Sequence, residues 1–278
     1  MHRALAASLS NDEHLKAVVA AVPMWYHSIE LSPGVVTPGW FDLRPIVDLM
    51  PWPDVRGKRC LDVGTWDGFL AFELERRGAA EVVAIDIGSH QHWDWPPVLL
   101  ARGGPQDMEE LAGHEQGIGF RVAKEALGSS VEHRTMSVYD LDREAMGEFD
   151  VVTCGSLMLH LRDPMRALER IRSVCGGVFL SAEEIDLTLT VLGPRRPALR
   201  LDGLSELFQW FIPNAVGHRR MLRASGFQLE RWSKPYAIPF GPSHTPRGSG
   251  PRAAATRAWR QALTGGDGVP HQAALGRV

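Results

Sequence analysis

The chain has 278 residues, 44% hydrophobic and 23% charged, with a formal net charge of −3; this suits one large α/β domain with extensions. The slight negative charge argues against a nucleic-acid partner, which ordinarily needs a basic excess or stripe, and no apolar run is long enough to span a membrane. Cys60, Cys154 and Cys175 are widely spaced, without metal or disulfide patterning, and the N-terminus lacks an export-signal pattern, so a cytoplasmic protein with reduced, buried thiols is expected.

Residues 11–22 place Leu15, Val18, Val19 and Val22 on one helical face, with Asn11 or Asp12 as N-cap and Pro23 as the stop. An aromatic segment, Trp25-Tyr26-His27, leads to Ser32-Pro33-Gly34, and a second helix is expected over about 42–50, closed by Pro51 and Pro53. Residues 1–55 thus read as an N-terminal helical cap. Within 56–240, strands are expected at 59–63, 81–86, 131–136, 149–154, 177–182, 227–233 and 235–240, and helices at 68–77, 117–127, 164–174 and 214–225. Strand alternating with helix implies an α/β fold, a doubly wound, mostly parallel seven-stranded sheet covered on both faces. The last two strands leave no room for a helix between them and read as an antiparallel edge hairpin. Insertions fall at about 88–113 and 185–213; the first, with His90, His92, Trp93, Asp94 and Trp95, is long enough to be a lid or to be disordered. Residues 241–278, rich in Gly, Pro, Ala and Arg, read as a partly mobile tail.

The densest signal is Leu61-Asp62-Val63-Gly64-Thr65-Trp66-Asp67-Gly68, an apolar strand turning on glycines into a helix, followed by Val82-Val83-Ala84-Ile85-Asp86. This is the pattern of a nucleotide-binding βαβ unit whose second acid accepts hydrogen bonds from a ribose. A dinucleotide site would carry a third glycine, and Asp62, two positions before the first glycine, would repel a pyrophosphate. A sulfonium and an ammonium would be attracted to it. The D-x-G-x-x-x-G run with its following acid resembles motif I of the class I S-adenosylmethionine-dependent methyltransferases.

That resemblance implies S-adenosyl-L-methionine as cofactor, held by Asp62, Gly64, Thr65, Trp66 and Gly68, with Asp86 and Ile87 at the ribose. It also places Val138, Tyr139 and Asp140 near the adenine, Gly155 and Ser156 after the fourth strand, and Trp40 upstream. Ligands of open α/β sheets lie at the carboxyl ends of the strands, which puts His160 near the reactive end as general base, with His27 of the cap as the competitor. Tyr26, Trp93, Trp95, Phe208, Trp210 and Phe211 would wall a largely apolar acceptor pocket. No metal is expected: His90, His92, His114, Asp94 and Glu115 have no metal-site spacing.

Two finer resemblances compete. Leu207-Phe208-Gln209-Trp210-Phe211-Ile212-Pro213-Asn214, Met221 to Phe227 and His160-Leu161-Arg162-Asp163-Pro164 are similar to segments of the tRNA wobble-uridine (carboxy)methyltransferase-like branch. That branch uses a lysine-bearing stretch to read a carboxylated cofactor, whereas Ser32 to Trp40 contains no Lys or Arg, favouring plain S-adenosylmethionine. The Trp-containing insertion and weak charge also resemble bacterial methyltransferases acting on secondary metabolites and their sugars. The leading expectation is O-methylation of a small-molecule acceptor, with a homodimer allowed. A tRNA-modifying enzyme and a catalytically inactive cofactor-binding protein are the alternatives.

Overall fold

The computed structural model describes residues 11–113, 115–204, 208–244 and 250–278. Among the described residues, the N-terminal segment carries helix α1 (Asn11–Ala21) and a small hairpin, β1 (Glu30–Ser32) with β2 (Val35–Val36). The helix expected over 42–50 is instead a single 3₁₀ turn at Val47–Leu49. Pro45 offers no amide N–H there, and Leu43, Ile46, Val47 and Met50 are all drawn into the core.

The βα alternation then runs β3 (Arg59–Val63), α2 (Phe69–Arg76) and β4 (Glu81–Asp86). The first insertion is folded rather than disordered: a 3₁₀ turn at His90–His92, then α3 (Pro97–Leu100) and α4 (Gly104–Ala112). There follow α5 (Ile118–Leu127), β5 (Glu132–Thr135), α6 (Arg143–Met146), β6 (Phe149–Gly155), α7 (Pro164–Val174) and β7 (Cys175–Glu184). The second insertion holds α8 (Leu187–Leu192) and a two-stranded sheet of β8 (Leu199–Leu201) and β9 (Phe211–Pro213), before α9 (Ala215–Ala224). The chain ends in β10 (Gln228–Trp232), β11 (Tyr236–Ile238), α10 (Pro251–Thr264) and β12 (Val269–Arg277).

The main sheet has the order β10-β12-β7-β6-β3-β4-β5, with β11 also paired to β12. Strands β3 to β7 are parallel, and their carboxyl ends lie along one edge. Buried residues form a hydrophobic cluster on each side of the sheet, one including Leu74, Phe72 and Phe120 and the other Leu168, Ile171 and Phe179. The expected fold class is the observed one.

The antiparallel part is assembled differently from expectation. Residues 227–233 and 235–240 do not pair with each other; β10 and β11 both pair with β12. The supposed mobile tail therefore supplies α10 and an inner strand, hydrogen-bonded to β7 from His271–Glu184 to Arg277–Val178. Its run of small residues suits that place. Ala273 and Ala274 are fully buried, and a Cβ at Gly276 would stand 3.0 Å from Phe227 Cβ. Composition alone cannot distinguish such a tightly packed strand from a flexible segment. Residues 245–249 of the expected tail lie outside the described residues.

Candidate active site

The turn after β3 is fixed by backbone bonds to the neighbouring strand. Gly64 and Thr65 N–H both donate to the Ile85 carbonyl, and Gly68 N–H to that of Thr65. Gly68 has φ +94°, and a Cβ there would lie 2.4 Å from the Phe72 ring and 2.8 Å from Phe120, so only glycine fits. Trp66 holds a left-handed φ of +50°, kept by its N–H donating to Asp86 Oδ2 at 2.7 Å. The other Asp86 oxygen takes the Ile87 N–H at 2.8 Å, and burial raises the carboxyl to about 6.

Asp62, 2% exposed, accepts the Thr153 hydroxyl at 2.7 Å; burial raises its pKa, and among the described residues no Lys or Arg pairs with it. Beside Asp86 lies a cleft of about 570 Å³, counting space open to solvent. Its lining includes Trp66, Asp67, Ile87, His90 and Thr135 and contains no Lys or Arg. A phosphate-bearing cofactor would find no counter-charge here. The carboxylate oxygens of Asp86 and Asp62 are acceptors, of a chemistry that suits ribose hydroxyls and a cationic group.

Asp67 was not expected to do more than occupy the turn. It is 1% exposed, its Oδ2 accepts the Tyr26 and His27 N–H groups at 2.8 Å each, and its Oδ1 contacts His27 Nδ1. The motif turn thus holds the N-terminal segment over itself through one carboxylate. A partner some forty positions upstream leaves no local signal in the sequence.

Aromatic rings bridge the whole carboxyl edge. Ring centroids run from Tyr26 to Trp66 at 5.7 Å, Trp66 to Trp93 at 5.8 Å, Trp93 to Phe208 at 4.6 Å and Phe208 to His160 at 4.8 Å. Trp95 is 3% exposed and packs on Trp93 and Phe208, a supporting ring beneath the wall rather than a face of it. Trp210 and Phe211 stack on each other, and Trp210 Nε1 donates to the Asp94 carbonyl at 2.6 Å. Asp94 Oδ2 also accepts Tyr139 Oη–H and Arg162 N–H, at 2.6 and 2.8 Å. Asp94 is therefore a knot joining the first insertion to the second and to the turn after β6.

The other expected residues fall in different places. Val138 is buried and Asp140 is exposed. Gly155 ends β6 and Ser156 follows it, beside the motif turn. Trp40 packs against His244 and does not line the cleft. His160 sits under Phe208, its Nδ1 3.5 Å from the Phe208 carbonyl, and burial pushes it down to about 4. His114 and Leu207 lie outside the described residues. Two further acids, Glu183 and Glu184, end β7, raised by burial to about 8 and about 7. Glu183 accepts Met158 N–H at 3.2 Å and so braces the turn carrying His160. The signal that exposed Asp86, acids closing an apolar strand, would have found both.

Parallel strands ending on a glycine turn, an acid at the end of the adjacent strand and an antiparallel strand inserted beside β7 define the class I methyltransferase architecture. The chain belongs to the methyltransferase domain family, whose model matches residues 42–231. It is an S-adenosylmethionine-dependent methyltransferase. It is similar to the ubiquinone biosynthesis O-methyltransferase of Pseudomonas aeruginosa (strain LESB58), 31% identical over 210 residues that cover 70% of this chain and 75% of that protein. The same enzyme of Acinetobacter baumannii (strain ACICU) is 30% identical over 158 residues, covering 51% and 56%.

Solved structures with the same fold include the 1,6-didemethyltoxoflavin-N1-methyltransferase of Burkholderia thailandensis, bound to 1,6-didemethyltoxoflavin and S-adenosylhomocysteine, with TM-score 0.51, 15% identity and coverage of 84% of this chain and 77% of that one. Another is the N-terminal domain of EvdMO1 in the presence of S-adenosylhomocysteine and D-fucose, with TM-score 0.52, 15% identity and coverage of 99% and 100%. No helix among the described residues is long and apolar enough to cross a membrane.

Proposed function

We propose that the protein methylates a hydroxyl oxygen of a small-molecule acceptor, a specialised metabolite or its glycosyl unit. The observation that carries this reading is the aromatic wall from Tyr26 through Trp66 and Trp93 to Phe208, which offers apolar faces to an organic ring. The O-methyltransferase name of the Pseudomonas relative supports oxygen as the acceptor atom.

S-adenosylmethionine, when bound, supplies an electrophilic methyl group on a sulfonium. Asp86 would hold its ribose, and Asp62 with the Gly64–Gly68 turn its amino-acid end. The acceptor hydroxyl must lose its proton as its oxygen takes the methyl group. Of the two expected bases, His27 is the better supported. With Nδ1–H given to Asp67, Nε2 carries the lone pair that accepts the proton, and the carboxylate stabilises the resulting imidazolium. The His160 ring has the Phe208 carbonyl as its hydrogen-bonding neighbour, and its burial opposes protonation. The aromatic bridge would position the acceptor against the methyl group, and positioning supplies much of the acceleration in such a transfer.

The test is incubation with methyl-labelled S-adenosylmethionine and two pools, bulk tRNA and the small-molecule fraction of a cell extract. Label in a small molecule is the expected result. Label in tRNA alone would overturn the assignment in favour of wobble-uridine modification, and label in neither would favour a cofactor-binding protein without turnover.

A further inference from the structure

Ser156 follows β6 at the carboxyl edge and has φ +51°, a left-handed conformation that serine rarely takes. Its N–H donates to the Ala182 carbonyl at 2.9 Å, and its Oγ lies 2.8 Å from Nε2 of His271. His271 belongs to β12 and is 4% exposed, with Nδ1 2.9 Å from the Val269 carbonyl. A carbonyl can only accept, so Nδ1 carries the ring proton and Nε2 the lone pair. Burial lowers His271 to about 4, which keeps this neutral tautomer in place at ordinary pH. Ser156 must then donate its single hydroxyl proton to His271. What remains of the hydroxyl is a pair of acceptor sites, with no donor left for a ligand.

The placement of this group follows from strand order. The ribose acid is on β4, the motif turn on β3, and β6 is the next strand on the opposite side of β3 from β4. Ser156 lies two residues beyond Cys154, the register partner of Val63, and so flanks the glycine turn on the side away from Asp86. A ligand extending from Asp86 across β3 directs its far end toward β6.

We infer that Ser156 accepts a hydrogen bond from a second hydroxyl of the methyl acceptor, beside the reacting one whose proton goes to His27, and that His271, from the C-terminal strand, is the positioning residue that forces Ser156 into this acceptor-only state. This rests on the O-methylation reading and sharpens it: the site selects an acceptor with a second hydroxyl beside the one that reacts, and a ligand presenting only a lone pair at that point is refused. It also assigns Ser156 to the acceptor rather than to the cofactor.

The experiment uses the full chain and the purified small molecule that takes label from methyl-labelled S-adenosylmethionine with the wild type. Ser156→Ala is expected to raise KM for that compound about three- to tenfold, the value of one neutral hydrogen bond. The affinity for S-adenosylhomocysteine by calorimetry stays within about twofold. His271→Leu produces a similar rise in KM, and His271→Gln, whose Oε1 can take the serine proton, recovers most of it. If His271→Leu fails to fold, Ser156→Ala decides alone. An unchanged acceptor KM in Ser156→Ala overturns the inference, as does a loss confined to S-adenosylhomocysteine binding. If the wild type labels no small molecule, the O-methylation reading itself has failed and takes this inference with it.

Discussion

Replacing Asp86 with Asn tests the central feature of the site. The carboxylate ends β4 with each oxygen already accepting one backbone N–H, from Trp66 at 2.7 Å and Ile87 at 2.8 Å. Each oxygen keeps a further lone pair for a ribose hydroxyl. Hydrogen bonds to a charged group are worth about 1.5–3 kcal/mol each, against about 1 kcal/mol for a neutral pair. Asn keeps one oxygen, loses the charge and turns an NH₂ toward donors. The expected loss is about 2–4 kcal/mol, or roughly 30- to 700-fold in Kd.

Calorimetric titration with S-adenosylhomocysteine measures it, with thermal unfolding as a control for the fold. Asp86 is held at about 6, and a ribose hydroxyl bonds the ionised form better, so wild-type affinity should fall as pH drops through 6. The Asn variant should lack this component. A variant Kd within threefold of wild type would refute the ribose assignment, and a wild-type affinity flat from pH 5 to 8 would refute the electrostatic reasoning.

Three more outcomes are expected. His27→Ala should lower kcat about 10²- to 10⁴-fold while leaving S-adenosylhomocysteine affinity largely intact; a loss in His160→Ala with normal His27→Ala turnover would reverse the base assignment. Glu183 is raised to about 8 by burial, so its stability contribution is full below the ordinary carboxylate range and declines as pH climbs toward 8. Glu183→Gln mimics the protonated acid, and its Tm relative to wild type should therefore rise between pH 5 and 8, whereas a constant difference would contradict the buried-acid account. Leu275→Ala in β12, at 1% exposure, should cost about 2–5 kcal/mol in denaturant unfolding; a negligible change would mean that the C-terminal strand is not docked.

The βαβ unit from Arg59 to Asp86 was legible because its information is local. Glycines at fixed spacing, an apolar run ending in an acid and a helical period occur within a few residues of one another. The same locality made the helices 118–127, 164–174 and 215–224 readable to within a residue or two. The acidic character of the site, Asp62 without a third motif glycine, was enough to separate a sulfonium cofactor from a pyrophosphate.

Only the tertiary structure decided which distant residues meet that unit. His27 reaches Asp67, Ser156 reaches His271, and Asp94 ties Tyr139 to Trp210. These pairs depend on strand order, and strand order depends on how the complete chain buries its apolar surface. The final strand makes the point. Its Ala-Ala-Leu-Gly sequence looks like flexible linker until β7 and β10 are placed on either side of it, where small residues are what the space admits. The sequence by itself determined the cofactor and the sheet that binds it. Packing determined which histidine holds a carboxylate, which serine holds a histidine, and that the last residues of the chain belong to the active-site sheet.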